Sequence, residues 1–221
     1  MVPFNVYVDG ESHFIRSQEC WKRIHGGSLE EITNYVPVFG SVIPAHQQVL
    51  FGPPPSVHHG AKFFWDSRFA ALAQTRRDYF IGRGVYFTAC TGDENSAHQL
   101  RLFIRQQDFE PQVILELKKL ADQRANLLNS VGVIEKAKGV DIGLATRLVE
   151  DAHANTFDGC LLFTSEVDFM PAIRAVRRIG KEVTVLGYRD GLSHNSPLEY
   201  EPDLFFDLEK VLADWYRPKR S

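Results

Sequence analysis

The residues best able to do chemistry in this chain are carboxylates placed where apolar segments end. Asp9 closes the run FNVYV (4–8) and is followed by Gly10 and Glu11. Glu166 and Asp168 follow CLLFT (160–164), within LLFTSEVDFMPAIRAVRRIG (161–180), and Asp141 follows the turn Lys138-Gly139-Val140. Each has a plain structural reading: Asp141 and Asp168 as helix caps, Asp9-Gly10 as a turn. Glu166 is harder to account for in this way, because Asp168 alone can serve a cap. Carboxylates converging on one crevice repel one another, and a divalent cation is the usual remedy. Oxygen-only ligands suit a hard ion, magnesium or manganese, rather than zinc. Such an ion polarises a phosphoryl oxygen, generates hydroxide from water and stabilises a leaving oxygen. Phosphodiester hydrolysis needs all three.

The elements that must position these acids are short apolar runs: FNVYV (4–8), VYFTAC (85–90), VILEL (113–117), CLLFT (160–164), VTVLG (183–187) and LFFDL (204–208). Most are continuous rather than alternating, as expected of strands covered on both faces in a parallel sheet. Between them the period is helical. After Asp141, Ile142, Ala145, Leu148, Val149 and Ala152 share one face, with Arg147, Glu150 and Asp151 pointing away. After Asp168, Phe169, Ile173 and Val176 form an inner face and Arg174, Arg177 and Arg178 an outer one. Pro171 suits a first helical turn and Gly180 the position just past a helix end. The fold class is α/β with a parallel sheet, CLLFT being a central strand flanked by FNVYV and VTVLG. Sites in such sheets form outside the carboxyl ends of the strands. The spacing alone leaves open whether Asp141 reaches that side.

The chain's 221 residues, 44% hydrophobic, can bury a full core, and one domain with elaborations is expected. With 25 basic and 28 acidic residues, a polyanion must be met by a local patch rather than by the whole surface. Cys20, Cys90 and Cys160 show no metal-type spacing, and Cys90 and Cys160 read as buried small hydrophobes in a reducing cytosol. Neither a leader nor a membrane-length apolar run is visible, so a soluble cytoplasmic protein is expected. Residues 34–60 hold five of the eleven prolines and no helical period, the mark of a long surface excursion or a lid over the crevice. His58 and His59 there read as solvated rather than metal-binding, and Phe63, Phe64 and Trp65 as a core anchor rather than a base-stacking platform.

VYVDGESHF (6–14), KGVDIGLATRLVEDA (138–152) and LLFTSEVDFMPAIRAVRRIGKEVTVLGY (161–188) resemble the signature blocks of NYN domains, members of the PIN-like nuclease superfamily. The resemblance implies a Rossmann-like parallel sheet flanked by helices, with an acidic, metal-dependent centre that cleaves RNA. It implies metal-holding, catalytic roles for Asp9, Asp141, Glu166 and Asp168 around magnesium or manganese, and places Asp141 on the same side as the others. Ser12 and Ser165 would orient carboxylates or phosphate oxygens, with Lys138 and Arg147 meeting the phosphate backbone of a single-stranded RNA. The sequence departs from the family's pattern in having Ser12 where asparagine is usual, Glu166 in place of aspartate, and Arg147 where a further acid often stands. The longer glutamate arm changes the geometry available to an ion that favours octahedral ligation. A single NYN/PIN-like domain (1–221) is expected, with an irregular insertion after the first helix (26–80) and a C-terminal tail (209–221). No membrane partner is expected, and self-association is left open.

The rival reading is a non-catalytic RNA-binding or scaffold protein that keeps the fold with a degenerate metal site. Phosphoryl transfer through an aspartyl nucleophile ranks lower, because Glu11 stands where a second aspartate is wanted. Dinucleotide binding ranks lowest, because no strand-to-helix turn carries the glycine spacing a pyrophosphate needs.

Overall fold

The computed structural model describes residues 2–25, 79–91, 94–105, 109–116 and 139–210. In chain order they form β1 (Val2–Asp9), α1 (Gly10–His25), β2 (Tyr79–Thr91), α2 (Glu94–Arg105), β3 (Glu110–Glu116), α3 (Val140–His153), β4 (Gly159–Phe163), a 3-10 turn (Val167–Phe169), α4 (Met170–Arg178), β5 (Glu182–Gly187) and β6 (Leu204–Asp207). The strands make one sheet in the order β3-β2-β1-β4-β5-β6, and every pairing is parallel. Each of the six apolar runs thus contributes a strand among the described residues, Leu208 at the end of the last run passing into a helix, and CLLFT lies between β1 and β5 as its continuous apolarity implies. The expected excursion at 34–60, nearly all of the expected insertion and residues 211–221 of the tail lie outside the described residues. Residues 79–80, assigned to the insertion from sequence, begin β2 instead.

The strand order reverses between β1 and β4. Chains wound outward from such a switch point leave a crevice beyond the carboxyl ends of the two strands, where ligands bind. Beneath it lies a core of Tyr7, Phe87, Leu144, Leu148, Phe157, Leu162, Ile173 and Val185, which joins the sheet to α3 and α4. α4 behaves as its pattern predicts. Ile173 and Val176 are buried, Arg174 and Arg177 reach Glu201 and Asp203 on the outside, and Gly180 takes φ 81° just past the end, where a residue with a Cβ would be strained.

On α3 the expected inner face holds at Ala145, Leu148, Val149 and Ala152, which lie in or against the core, and fails at two positions, Ile142 and Asp151. Val140, Leu144, Leu148, Asp151 and Ala152 are buried, while Ile142 is 73% exposed. Asp151 is buried in a polar pocket at the amino edge of the sheet. The Tyr7 hydroxyl donates to Asp151 Oδ2 at 2.8 Å, Arg147 Nε donates to the same oxygen at 2.9 Å, and Arg147 also bridges to Glu110 at 3.2 Å. Burial, with the Asp151 carboxylate beside it and only Asn5 opposing, holds the Tyr7 phenol well above its ordinary pKa, so it serves as a donor. A fully partnered carboxylate can be buried where a lone one cannot.

Candidate active site at the switch point

Asp9 ends β1 and is completely buried. It does not make a loose turn: α1 begins at Gly10, and Asp9 Oδ1 accepts the Ser12 N–H at 3.1 Å as a helix cap. Gly10 is required here, since a Cβ at that position would stand 2.4 Å from the Tyr86 ring. Burial, followed by the charges of Asp9 and Glu11, drives the Tyr86 phenol well above its usual pKa.

Beyond β4 the chain stays extended through Glu166, and its hydroxyls knit it to β1 and α1. Thr164 Oγ1 donates to Asp9 Oδ2 at 3.3 Å and accepts the Glu166 N–H at 3.1 Å. Ser12 Oγ donates to Glu166 Oε1 at 3.3 Å and accepts the Ser165 N–H at 3.3 Å. Ser165 Oγ accepts the Tyr188 N–H at 2.9 Å, tying the turn to the end of β5. The close approach of β5 depends on Gly187, where a Cβ would lie 2.5 Å from the Thr164 carbonyl oxygen. Beside Ser12, His13 is buried against the rings of Phe163 and Tyr188, and burial lowers its pKa to about 3. It is a neutral imidazole.

Asp141 reaches the same edge by another route. The α3 cap is Gly139, at φ 99°, so Asp141 lies in the first turn and is not the cap residue. Gly143, two residues on, packs on Phe87, the β2 partner of Asp9. α3 also packs on the 3-10 turn that carries Asp168. Asp168 is exposed in that turn, whose cap residue is Glu166 and has no side-chain cap bond. The capping readings of Asp141 and Asp168 are thus replaced, and it is Asp9 that caps.

The structure thus brings Asp9, Ser12, Thr164, Ser165 and Glu166 into one hydrogen-bonded cluster and sets Asp141 and Asp168 at the same edge. Among the described residues, no three His, Cys, Asp or Glu side chains are gathered as a group that could hold a metal ion. The donors, carboxylate and hydroxyl oxygens, fit a hard cation in kind. As they stand, Asp9 and Glu166 are instead held by protein donors. One substrate assignment changes. Arg147 is committed to Asp151 and Glu110 at the opposite, amino edge, because its helix position faces β3 rather than the crevice. Lys138 lies outside the described residues. Two residues that sequence reasoning did not place in the site belong there: Thr164, visible as the polar end of an apolar run, and Arg16, one helical turn after Ser12, whose Nη2 is 3.9 Å from Glu166 Oε1.

No curated protein matches the chain. A crystal structure of a protein of unknown function from Vibrio parahaemolyticus aligns over 93% of this chain and 92% of its own, with a TM-score of 0.48 and 15% identity. Residues 58–209 match the NYN domain family. That stretch exceeds half of the chain and contains Asp141, Glu166 and Asp168, while Asp9 and Ser12 precede it. The chain belongs to the NYN family of PIN-like nucleases.

Proposed function

We propose that this protein hydrolyses phosphodiester bonds of single-stranded RNA with the help of magnesium or manganese, as an endoribonuclease of the cytoplasm formed from one NYN domain. The observation that carries the reading is the Asp9–Thr164–Glu166–Ser12 cluster at the switch point of a sheet in an NYN-family chain. Asp9, Asp141, Glu166 and Asp168 would hold the ion, which when bound supplies charge stabilisation and an activated water. The chain's own part is positional. Thr164 fixes Asp9 and the Glu166 backbone in one hydrogen-bonded chain, and Ser12 couples Glu166 to α1. Ser165 spends its hydroxyl on Tyr188 and so supports the turn. No helix among the described residues is long and apolar enough to cross a membrane.

A second reading, RNA binding without cleavage, is favoured by one observation: Glu166 is occupied by Ser12 and Arg16, and no three carboxylates are gathered among the described residues. The two readings are separated by incubating a labelled single-stranded RNA with the protein in manganese, in magnesium and in chelator. Metal-dependent fragments support hydrolysis. Retarded but intact RNA under all three conditions supports binding alone.

A further inference from the structure

Glu166 is held from α1 by two residues one helical turn apart. Its Oε1 accepts the Ser12 hydroxyl at 3.3 Å and lies 3.9 Å from Arg16 Nη2. The second distance is a charge contact, too long for a hydrogen bond. The other arm of the same guanidinium, Nη1, donates to Glu19 Oε2 at 2.8 Å. Arg16 is 27% exposed and Glu19 51%, so the guanidinium is anchored on the outer carboxylate and leans on the inner one.

We propose that Arg16 is a positioning residue that competes with a divalent cation for Glu166, and that Glu19 is the partner that keeps Arg16 when the cation enters. The inference rests on the metal-dependent reading above. A fixed positive charge beside Glu166 opposes a second one. The contact it would give up includes no hydrogen bond, whereas the Glu19 bond persists. The strength of this opposition is set by where Arg16 leans. Removing Glu19 lets it lean wholly on Glu166.

The test is a manganese chloride titration of the full chain, read by the melting temperature and by calorimetry, for wild type, Arg16→Gln, Glu19→Gln and the double variant. Arg16→Gln is expected to lower the half-saturating manganese concentration by about two- to five-fold, the range a partly exposed ion pair commands. Glu19→Gln is expected to raise it by a similar factor. In the Arg16→Gln background the Glu19 change should have little effect, because its influence runs through the missing guanidinium. If Arg16→Gln matches wild type or binds manganese more weakly, the proposal is overturned while the metal reading stands. An equal Glu19→Gln effect in both backgrounds also overturns it, assigning Glu19 to general electrostatics. If wild type shows no response to manganese, the metal reading and the proposal fall together.

Discussion

Thr164 and Asp9, 155 positions apart in the sequence, are joined by a 3.3 Å hydrogen bond from the threonine hydroxyl to Oδ2 of a fully buried carboxylate. The same oxygen of Thr164 accepts the Glu166 N–H, so one hydroxyl orients an acid from each side of the switch point. Thr164→Val keeps the shape, leaves the buried Asp9 short of a donor and removes the acceptor of a backbone N–H. A loss of about 1–3 kcal/mol is expected in urea unfolding, with Thr164→Ser close to wild type. Equal stability of the valine variant would show that the bridge carries no weight.

Arg147 was expected at the substrate and is found in the Tyr7–Asp151–Glu110 network. Burial raises the Glu110 carboxyl pKa, but the hydrogen bonds and charge of Arg147, aided by Arg83, outweigh it and leave the pKa below its ordinary value. Arg147→Met should therefore destabilise the fold by about 2 kcal/mol, since it leaves Asp151 with less compensation, and Tyr7→Phe by about 1 kcal/mol. Neither should change the response to metal. A stable Arg147→Met protein with weakened RNA binding would restore the substrate role.

His13 gives the fold a pH dependence whose sign is fixed by burial. Its pKa is 6.5 unfolded and about 3 folded, so between these values the unfolded chain binds more protons. The His13 contribution to stability is fully present above about pH 6.5 and is lost as pH falls toward 3, by up to about 1.4 kcal/mol per pH unit. Comparing the pH profile of the melting temperature with that of His13→Phe checks this. The variant should have a shallower acid limb from pH 6 to 4, and superimposable limbs would contradict the assignment.

Gly187 lets β5 pass close to the end of β4. An alanine Cβ would lie 2.5 Å from the Thr164 carbonyl oxygen, a backbone atom that cannot rotate away. Gly187→Ala should cost about 1–3 kcal/mol through overpacking and should disturb the Ser165–Tyr188 bond at the same turn. The amide signals of residues 164–166 and 188 in a two-dimensional NMR spectrum should shift together. Unperturbed signals with unchanged stability would show that the contact relaxes freely.

The strands were legible because parallel strands covered on both faces need nothing but apolar side chains, and FNVYV, CLLFT and VTVLG supply them. On the helix after Asp141 the apolar pattern holds at Ala145, Leu148, Val149 and Ala152 and fails at Ile142 and Asp151. The helix's buried face contains Asp151, a residue that a pattern of apolar positions assigns to solvent, and its partners Tyr7 and Glu110 are distant in sequence. For the same reason Arg147 could not be placed from spacing. Thr164 looked like the end of an apolar run, and only the alignment of β1 with β4 turns it toward Asp9. Arg16 was within reach, because it stands four positions after Ser12 on a helix. Asp9 was found as an acid but not as a cap, since the start of α1 at Gly10 leaves no separate turn to see.

The most direct test of the central claim, that the acids at the switch point hold a divalent cation, compares wild type with Asp168→Asn by melting temperature as magnesium or manganese is added. Asp168 is exposed, so without metal the two should melt within about 1 °C of each other, a surface change being worth only tenths of a kcal/mol. Metal should raise the wild-type melting temperature progressively, and the same concentrations should raise that of the variant much less, because at a given concentration a cation stabilises the folded chain less the more weakly it binds. Superimposable responses of the two proteins would contradict the account.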